Sequence, residues 1–181
     1  MMNPEELYQQ ELKQSEIDHK TPTAGAMSGH IISNLQILEQ KIQQVKWYYV
    51  GDNKISLQNH LQDFLNDTLK FKDQLGEVLL DELEFVPSVS DEFQEFTMLK
   101  EDSKYKYNEG TKMINMLADD IQTNMMFITR AIKLAQKEDL YSLQKVLISI
   151  LEYSQHEFRV LKAQTDTSIV RIKAELEEDE D

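Results

Sequence analysis

Apolar residues recur along most of this chain at steps of three and four. Ile31, Leu35, Leu38, Ile42, Val45 and Tyr49 follow one another at 4, 3, 4, 3 and 4 residues. A second series runs through Leu57, Leu61, Phe64, Leu65, Thr68, Leu75 and Leu79 to about Leu83. A third is Ile114, Leu117, Ile121, Met125, Ile128, Ile132 and Ala135, and a fourth is Leu143, Leu147, Ile150, Ser154, Phe158 and Leu161. Such spacing puts one apolar stripe on each of four long helices. The fourth has room to continue to about Leu176.

The residues between the stripes punctuate them. Asn3-Pro4-Glu5-Glu6 reads as a helix start, with a capping side chain, a proline that suits the first position and acids at the positive dipole end. A short helix from about residue 4 to 18 follows, thin in apolar content (Leu7, Tyr8, Leu12, Ile17). Asp18 to Gly29, rich in Thr, Gly and Ala, reads as a linker. Gly51 is expected to stop the first long helix in a left-handed conformation. Ser56 and Asp139 are candidate caps, and Pro87 closes the second long helix. Residues 88–99 hold one short amphipathic piece (Val89, Phe93, Phe96, Leu99), and 100–108 read as loop.

Short connections after the first and third long helices make antiparallel neighbours, and the long one after the second makes a crossover. The expected fold is all-α: a ferritin-like four-helix bundle with a short helix in the crossover and an extra N-terminal helix. The expected organisation is an extension and linker over 1–28, the bundle over 29–176 and an acidic tail over 177–181.

Composition narrows the chemistry. The 5 glycines and 3 prolines are too few for a sheet-and-turn fold. With no cysteine, thiol catalysis, disulfides and Cys-ligated zinc or iron–sulfur clusters are excluded, and the composition suits a reducing cytoplasm. No apolar run approaches a membrane span, and no signal peptide is visible. The net charge is −14. Residues 1–20 carry five acids against Lys13 and Lys20, and residues 172–181 carry six acids against Lys173, so the body between is only mildly acidic.

Four histidines (His19, His30, His60, His156) form no HExxH and no close pair, and no Ser/His/Asp order is recognisable. His19 and His30 are expected in solvent. His60 and His156 fall on long helices, where a packed or exposed histidine is commoner than a ligand. The Glu-x-x-His pairs of di-iron bundles are missing. Met113, Met116, Met125 and Met126 cluster on one helix and are expected to fill the core. Trp47, Tyr48 and Tyr49 are expected to pack. Mid-helix Gly76 costs about 1 kcal/mol relative to alanine and suits a close helix contact or none.

One stretch carries a resemblance. Lys46-Trp47-Tyr48-Tyr49-Val50-Gly51-Asp52-Asn53-Lys54-Ile55-Ser56-Leu57-Gln58 is similar to the signature of the Dps family, the DNA-protecting miniferritins, which runs His-Trp-Tyr, then Gly, then Phe, then Leu-His. That signature continues as Asp-x-x-Ala-Glu, and Asp73-Gln74-Leu75-Gly76-Glu77 sits at the matching distance. Pro87, the turn at Asp139 and His156-Glu157-Phe158 extend the resemblance over roughly residues 30–165. In that family two histidines of one subunit and the Asp and Glu of a twofold-related subunit form a ferroxidase centre.

Here the histidine positions hold Lys46 and Gln58, while Asp73 and Glu77 remain as the implied metal ligands. An ammonium has no lone pair and repels a cation, and a glutamine offers only a neutral carbonyl oxygen. The ferroxidase activity that the resemblance implies is therefore expected to be weak or lost, and no catalytic residue is assigned. Lys46 is expected to pair across a subunit interface with Asp73 or Glu77. The resemblance further implies a homo-oligomeric, dodecameric cage, iron sequestration and non-specific DNA binding, with Lys13 and Lys20 of the N-terminal extension as the DNA contacts. The nearest acids to the family's pore carboxylates are Glu138 and Asp139. The alternatives are an iron-oxidising, iron-storing miniferritin with little DNA binding, or a helical interaction shell.

Overall fold

The computed structural model describes residues 3–165 and 167–178. Among them there is no β-strand. The helices are α1 (Pro4–Lys20), α2 (Ala24–Tyr48), α3 (Lys54–Asp81), α4 (Ser90–Phe96), α5 (Gly110–Lys137), α6 (Tyr141–Gln164) and α7 (Ile169–Glu178), with a 3₁₀ turn at Ser103–Tyr107. The fold is an all-α, ferritin-like four-helix bundle of α2, α3, α5 and α6, with α4 in the crossover and α1 as an extra N-terminal helix.

In the bundle α2 packs against α3 and α5, and α6 against the same two, so α3 and α5 are diagonal. The crossover explains this arrangement, because it climbs the length of α2. The Phe96 carbonyl meets His30 Nδ1 at 2.7 Å, the Met98 amide donates to Asn34 Oδ1 at 2.8 Å, and the Lys100 carbonyl accepts from Lys41 Nζ at 2.8 Å. It arrives beside Tyr48, where Gly110 opens α5. Both α3 and α5 therefore start at the same end and run parallel, as one long crossover demands.

The four stripes form one core, from Ile31, Ile42, Leu57, Leu61, Leu75 and Leu79 to Ile114, Leu117, Ile128, Leu143 and Leu147. The buried Asn and charged groups inside it are paired, whereas the Ser28 and Ser33 hydroxyls have no hydrogen-bond partner among the described residues. Asn34 Nδ2 donates to Asn124 Oδ1 at 3.1 Å, and Lys41 reaches Asp120 at 2.6 Å while lying 5.4 Å from the Tyr105 ring centroid. Met113 is buried as expected, but Met126 is 52% exposed and does not belong to the core.

Several punctuation marks work differently from their sequence reading. The Asn3–Glu6 capping box forms as expected. The helix α2, however, begins at Ala24, capped by the Thr23 hydroxyl, which accepts from the Ala26 amide at 3.1 Å. Gly25 and Gly29 are thus helical, and only Thr21–Thr23 separate α1 from α2. A Cβ at Gly25 would overlap the Glu84 carboxylate, so this glycine makes room for an acid over the start of α2.

Gly51 does not adopt a positive φ. Its smallness is required by the Tyr49 side chain, whose hydroxyl would lie 2.5 Å and whose ring 2.8 Å from a Cβ. The left-handed positions are instead Leu83 and Asp139, each following a long helix, where the amides of Glu84 and Leu140 bond back five residues to the carbonyls of Leu79 and Ala135. Ser56 caps nothing, since α3 already starts at Lys54. The fourth stripe breaks at Thr165, and α7 folds back so that Glu175 pairs with Lys162 at 2.7 Å and Ile172 is buried. Residues 13 apart in one continuous helix would lie about 20 Å apart.

Candidate functional site

The outer face of α3 carries the residues singled out by the sequence. Lys46, in the last turn of α2, leans onto it and donates to Gln62 Oε1. Gln58 Nε2 donates to the Lys46 carbonyl at 2.9 Å, and Gln62 Nε2 donates to Asn66 Oδ1 at 2.9 Å. These bonds hold the α2–α3 corner together and occupy both side chains that stand at the histidine positions.

Asp73 and Glu77 lie further along the same face, both exposed. Among the described residues no hydrogen bond or ion pair within the chain reaches either one. Gln58 and Asp73 are 15 residues apart, about 22 Å along the axis. One chain therefore does not bring Lys46 and Gln58 together with Asp73 and Glu77. It sets them at opposite ends of one face, the arrangement that a second, antiparallel copy would close.

Within one chain the donor set does not make a metal centre. No group of three or more His, Asp or Glu side chains among the described residues is placed to hold an ion. The ammonium of Lys46 repels a cation, and the Gln58 amide nitrogen is engaged with backbone.

Solved structures resemble the fold of this chain over most of its length. The DpsB protein of Lactococcus lactis is 34% identical, with 92% of this chain and 96% of that chain covered and a TM-score of 0.87. The DpsA protein of the same organism is 33% identical, with 92% and 98% covered and a TM-score of 0.87. Dps from Listeria monocytogenes, 21% identical with 82% and 96% covered, shares the fold at a TM-score of 0.78. The chain belongs to the Dps family. No family profile and no curated protein matches the sequence. No helix of this Dps chain, among the described residues, is long and apolar enough to cross a membrane.

The histidines of this Dps chain are placed less blandly than their sequence positions suggest. His30 is not a solvent side chain: it sits partly buried between the rings of Phe96 and Phe127, at 5.9 and 5.7 Å. The His19 side chain lies outside the described residues. His156 is exposed, next to Arg159.

His60 had no assigned role. Its Nε2 lies 2.9 Å from the buried Glu157 Oε2, joining α3 to α6. That hydrogen bond raises the His60 pKa, against the opposing effect of burial. Burial also raises Tyr153, helped by the charges of Glu157 and Asp67. No local motif announces the pair, which becomes visible only when α3 and α6 are known to touch.

Lys13 and Lys20 are exposed on α1. Seven residues apart, they fall about 20° from each other around the helix, two turns along one side. The opposite side faces the bundle over a groove of about 500 Å³, lined by Tyr8, Leu12, Phe85, Val86, Pro87 and Phe96. Acids also turn inward there. Burial, then the charge of Glu92, raises Glu11; burial, then Asp18, Glu138 and Glu82, raises Glu84. Glu11 and Asp18 thus turn toward the body and Lys13 away from it, while Lys20, the last residue of the helix, is exposed but also lines the groove. Glu138 is already engaged, both its oxygens accepting from the Ala24 amide at 3.1 Å.

Of the aromatic trio, only Tyr49 packs within the chain. Its hydroxyl donates to Asn53 Oδ1 at 2.6 Å, and Asn53 Nδ2 donates to Gln164 Oε1 at 3.0 Å. Trp47 and Tyr48 remain exposed.

Proposed function

We propose that this protein is a homo-oligomeric Dps cage, a dodecamer, that coats DNA without sequence preference and shields it from oxidative damage. In this reading it sequesters iron only weakly and its ferroxidase centre is degenerate. The observation that carries the reading is the engagement of Lys46 with Gln62 and of Gln58 with the Lys46 carbonyl. A site with an ammonium and a committed amide where imidazoles belong lacks the neutral nitrogen donors that hold oxidisable iron. Asp73 and Glu77 of a twofold-related copy then meet Lys46, and an ion pair fills the space of the metal. Iron as cargo is left with carboxylate oxygens alone.

The exposed lysines of α1, Lys13 and Lys20, are the DNA contacts. Each helix offers only Lys13 and Lys20, and affinity comes from their multiplication over the cage. Such binding is non-specific and falls steeply with salt, because it rests on counterion release.

Two measurements test this. Anaerobic ferrous addition followed by peroxide should give a slow ferric signal with the wild type and a fast one with Lys46→His plus Gln58→His; a fast wild-type signal overturns the degenerate centre. A gel shift at low and moderate salt should lose most retardation in Lys13→Ala plus Lys20→Ala. Unchanged retardation removes α1 as the contact.

A further inference from the structure

The end of the bundle where α2 stops and α5 begins has a surface unlike the rest of this acidic protein. Tyr48 is 46% exposed in the last turn of α2, and Tyr107 is 81% exposed in the 3₁₀ turn. Between them stands Lys106, its Nζ 5.4 Å from the Tyr48 ring centroid and 5.3 Å from that of Tyr107. Trp47, 62% exposed, precedes Tyr48 in the same last turn of α2, about 100° around the helix.

The charge here is close to balance, unlike the acidic whole. Residues 100–112 hold Lys100, Lys104, Lys106 and Lys112 against Glu101, Asp102 and Glu109, and the neighbouring turn adds Lys54 against Asp52. Two of those acids are already engaged, Asp102 by the Lys104 amide at 2.8 Å and Glu101 by the Gln94 amide nitrogen at 3.2 Å.

The platform beneath is fixed. The Tyr49 side chain is held between Gly51 and Gly110, where a Cβ would come 2.5 Å from its hydroxyl at Gly51 and 2.5 Å from its ring at Gly110. At 100° per residue, Tyr48 shares the flank of α2 that carries Lys41 and meets the crossover, whereas Lys46 shares the flank of Glu39 that meets α3. The patch is therefore separate from the face proposed for the second copy.

We propose that this end of the bundle binds single-stranded nucleic acid, with unpaired bases stacking on Tyr48 and Tyr107 and phosphates meeting Lys106 and Lys104. Exposed ring faces interleaved with ammonium groups on a rigid support are what base stacking and backbone attraction require. Paired bases keep their faces inside the duplex, so this surface reads strandedness. The inference extends the DNA reading above to a second site and a different form of nucleic acid.

The test titrates the full-length protein with oligo(dT) and with a duplex of equal length, following anisotropy of the labelled strand and emission of Trp47, the single tryptophan. Tyr48→Ala plus Tyr107→Ala should weaken oligo(dT) binding by roughly ten-fold or more and leave duplex binding unchanged. Tyr48→Phe plus Tyr107→Phe should retain oligo(dT) affinity, because stacking needs the ring and not the hydroxyl. Lys13→Ala plus Lys20→Ala should weaken the duplex more than oligo(dT). Oligo(dT) binding in a wild type that ignores duplex would defeat the α1 reading and leave this site standing. Absence of oligo(dT) binding, or equal affinity in the alanine pair, overturns the site.

Discussion

Two lysines on opposite flanks of α2 meet charge in opposite ways. On the side facing α5 and the crossover, Lys41 is buried and its ammonium reaches the Asp120 carboxylate, the Lys100 carbonyl and the Tyr105 ring. On the side facing α3, Lys46 reaches only a neutral amide, while Asp73 and Glu77 stand exposed further along the same face. The first circuit is closed within one chain and belongs to the fold. The second has both signs of charge but keeps them apart within one chain. A buried charge without a partner is costly, so a chain completes such pairs internally; an exposed one costs little and is free to serve an interface.

The largest effect expected from breaking this contrast is at Lys41. Lys41→Met leaves Asp120 buried and unpaired and should cost about 3–5 kcal/mol at pH 8. Burial already pushes the Asp120 pKa up to about 6, with Lys41 holding it down. A carboxyl raised in the folded state favours folding below its ordinary range and loses that contribution as pH rises through the folded value. Without Lys41 the folded value rises further, so the deficit of the variant should shrink between pH 8 and pH 5. Urea unfolding at both values checks this. An equal deficit would mean that the charge of Asp120 is not what the substitution exposes.

A middle-sized effect is expected where α2 meets α5. Gly110→Ala would place a Cβ 2.5 Å from the Tyr49 ring and 2.9 Å from the Val50 carbonyl. Overpacking of this kind costs about 1–3 kcal/mol. A melting temperature equal to wild type would show that the corner is softer than its geometry implies.

His60 gives a smaller closed circuit, between α3 and α6. His60→Gln should cost about 1 kcal/mol at pH 6. The folded His60 pKa is raised by Glu157, so its contribution is fully present below the ordinary histidine value and is lost as pH rises through the raised one. Variant and wild type should therefore converge toward pH 9, read as melting temperatures across the range. A constant gap would assign the loss to packing.

Much of this fold could be read from spacing alone, because a helix that buries one stripe must repeat its apolar residues at 3 and 4. The stripe from Ile31 to Tyr49 and that from Leu57 to Leu79 do so, and the long interval around Pro87 marks the crossover. What spacing could not show depends on contacts between distant segments. Gly25 reads as a linker residue until Glu84 is seen over it, and Gly51 as a left-handed stop until Tyr49 is seen against it. The His60–Glu157 pair joins residues 97 apart in sequence. At the candidate site, the register of Lys46, Gln58, Asp73 and Glu77 was legible through resemblance to a signature. The bond from Lys46 to Gln62 was not, because it depends on which way a long side chain turns.

The open circuit is where the effect on the folded chain should be smallest and the effect on assembly most telling. Asp73 and Glu77 are exposed and make no hydrogen bond or ion pair among the described residues, so Asp73→Lys plus Glu77→Lys should leave helix content unchanged and shift the chain's own stability by no more than about 0.5 kcal/mol. If Lys46 of one copy faces these carboxylates of another, the same substitutions set like charges across a twofold contact, and every interface suffers twice because the contact is isologous. Sedimentation should then show smaller species at low salt, with partial recovery at high salt as repulsion is screened. Adding Lys46→Glu to the same chain reverses both signs and should restore the wild-type species. Recovery by the triple variant, against dissociation of the double one, distinguishes a charge pair from mere loss of helix-surface acids. Dissociation that Lys46→Glu fails to repair would place the carboxylates against some other group, and the ion pair in the metal's space would have to be abandoned.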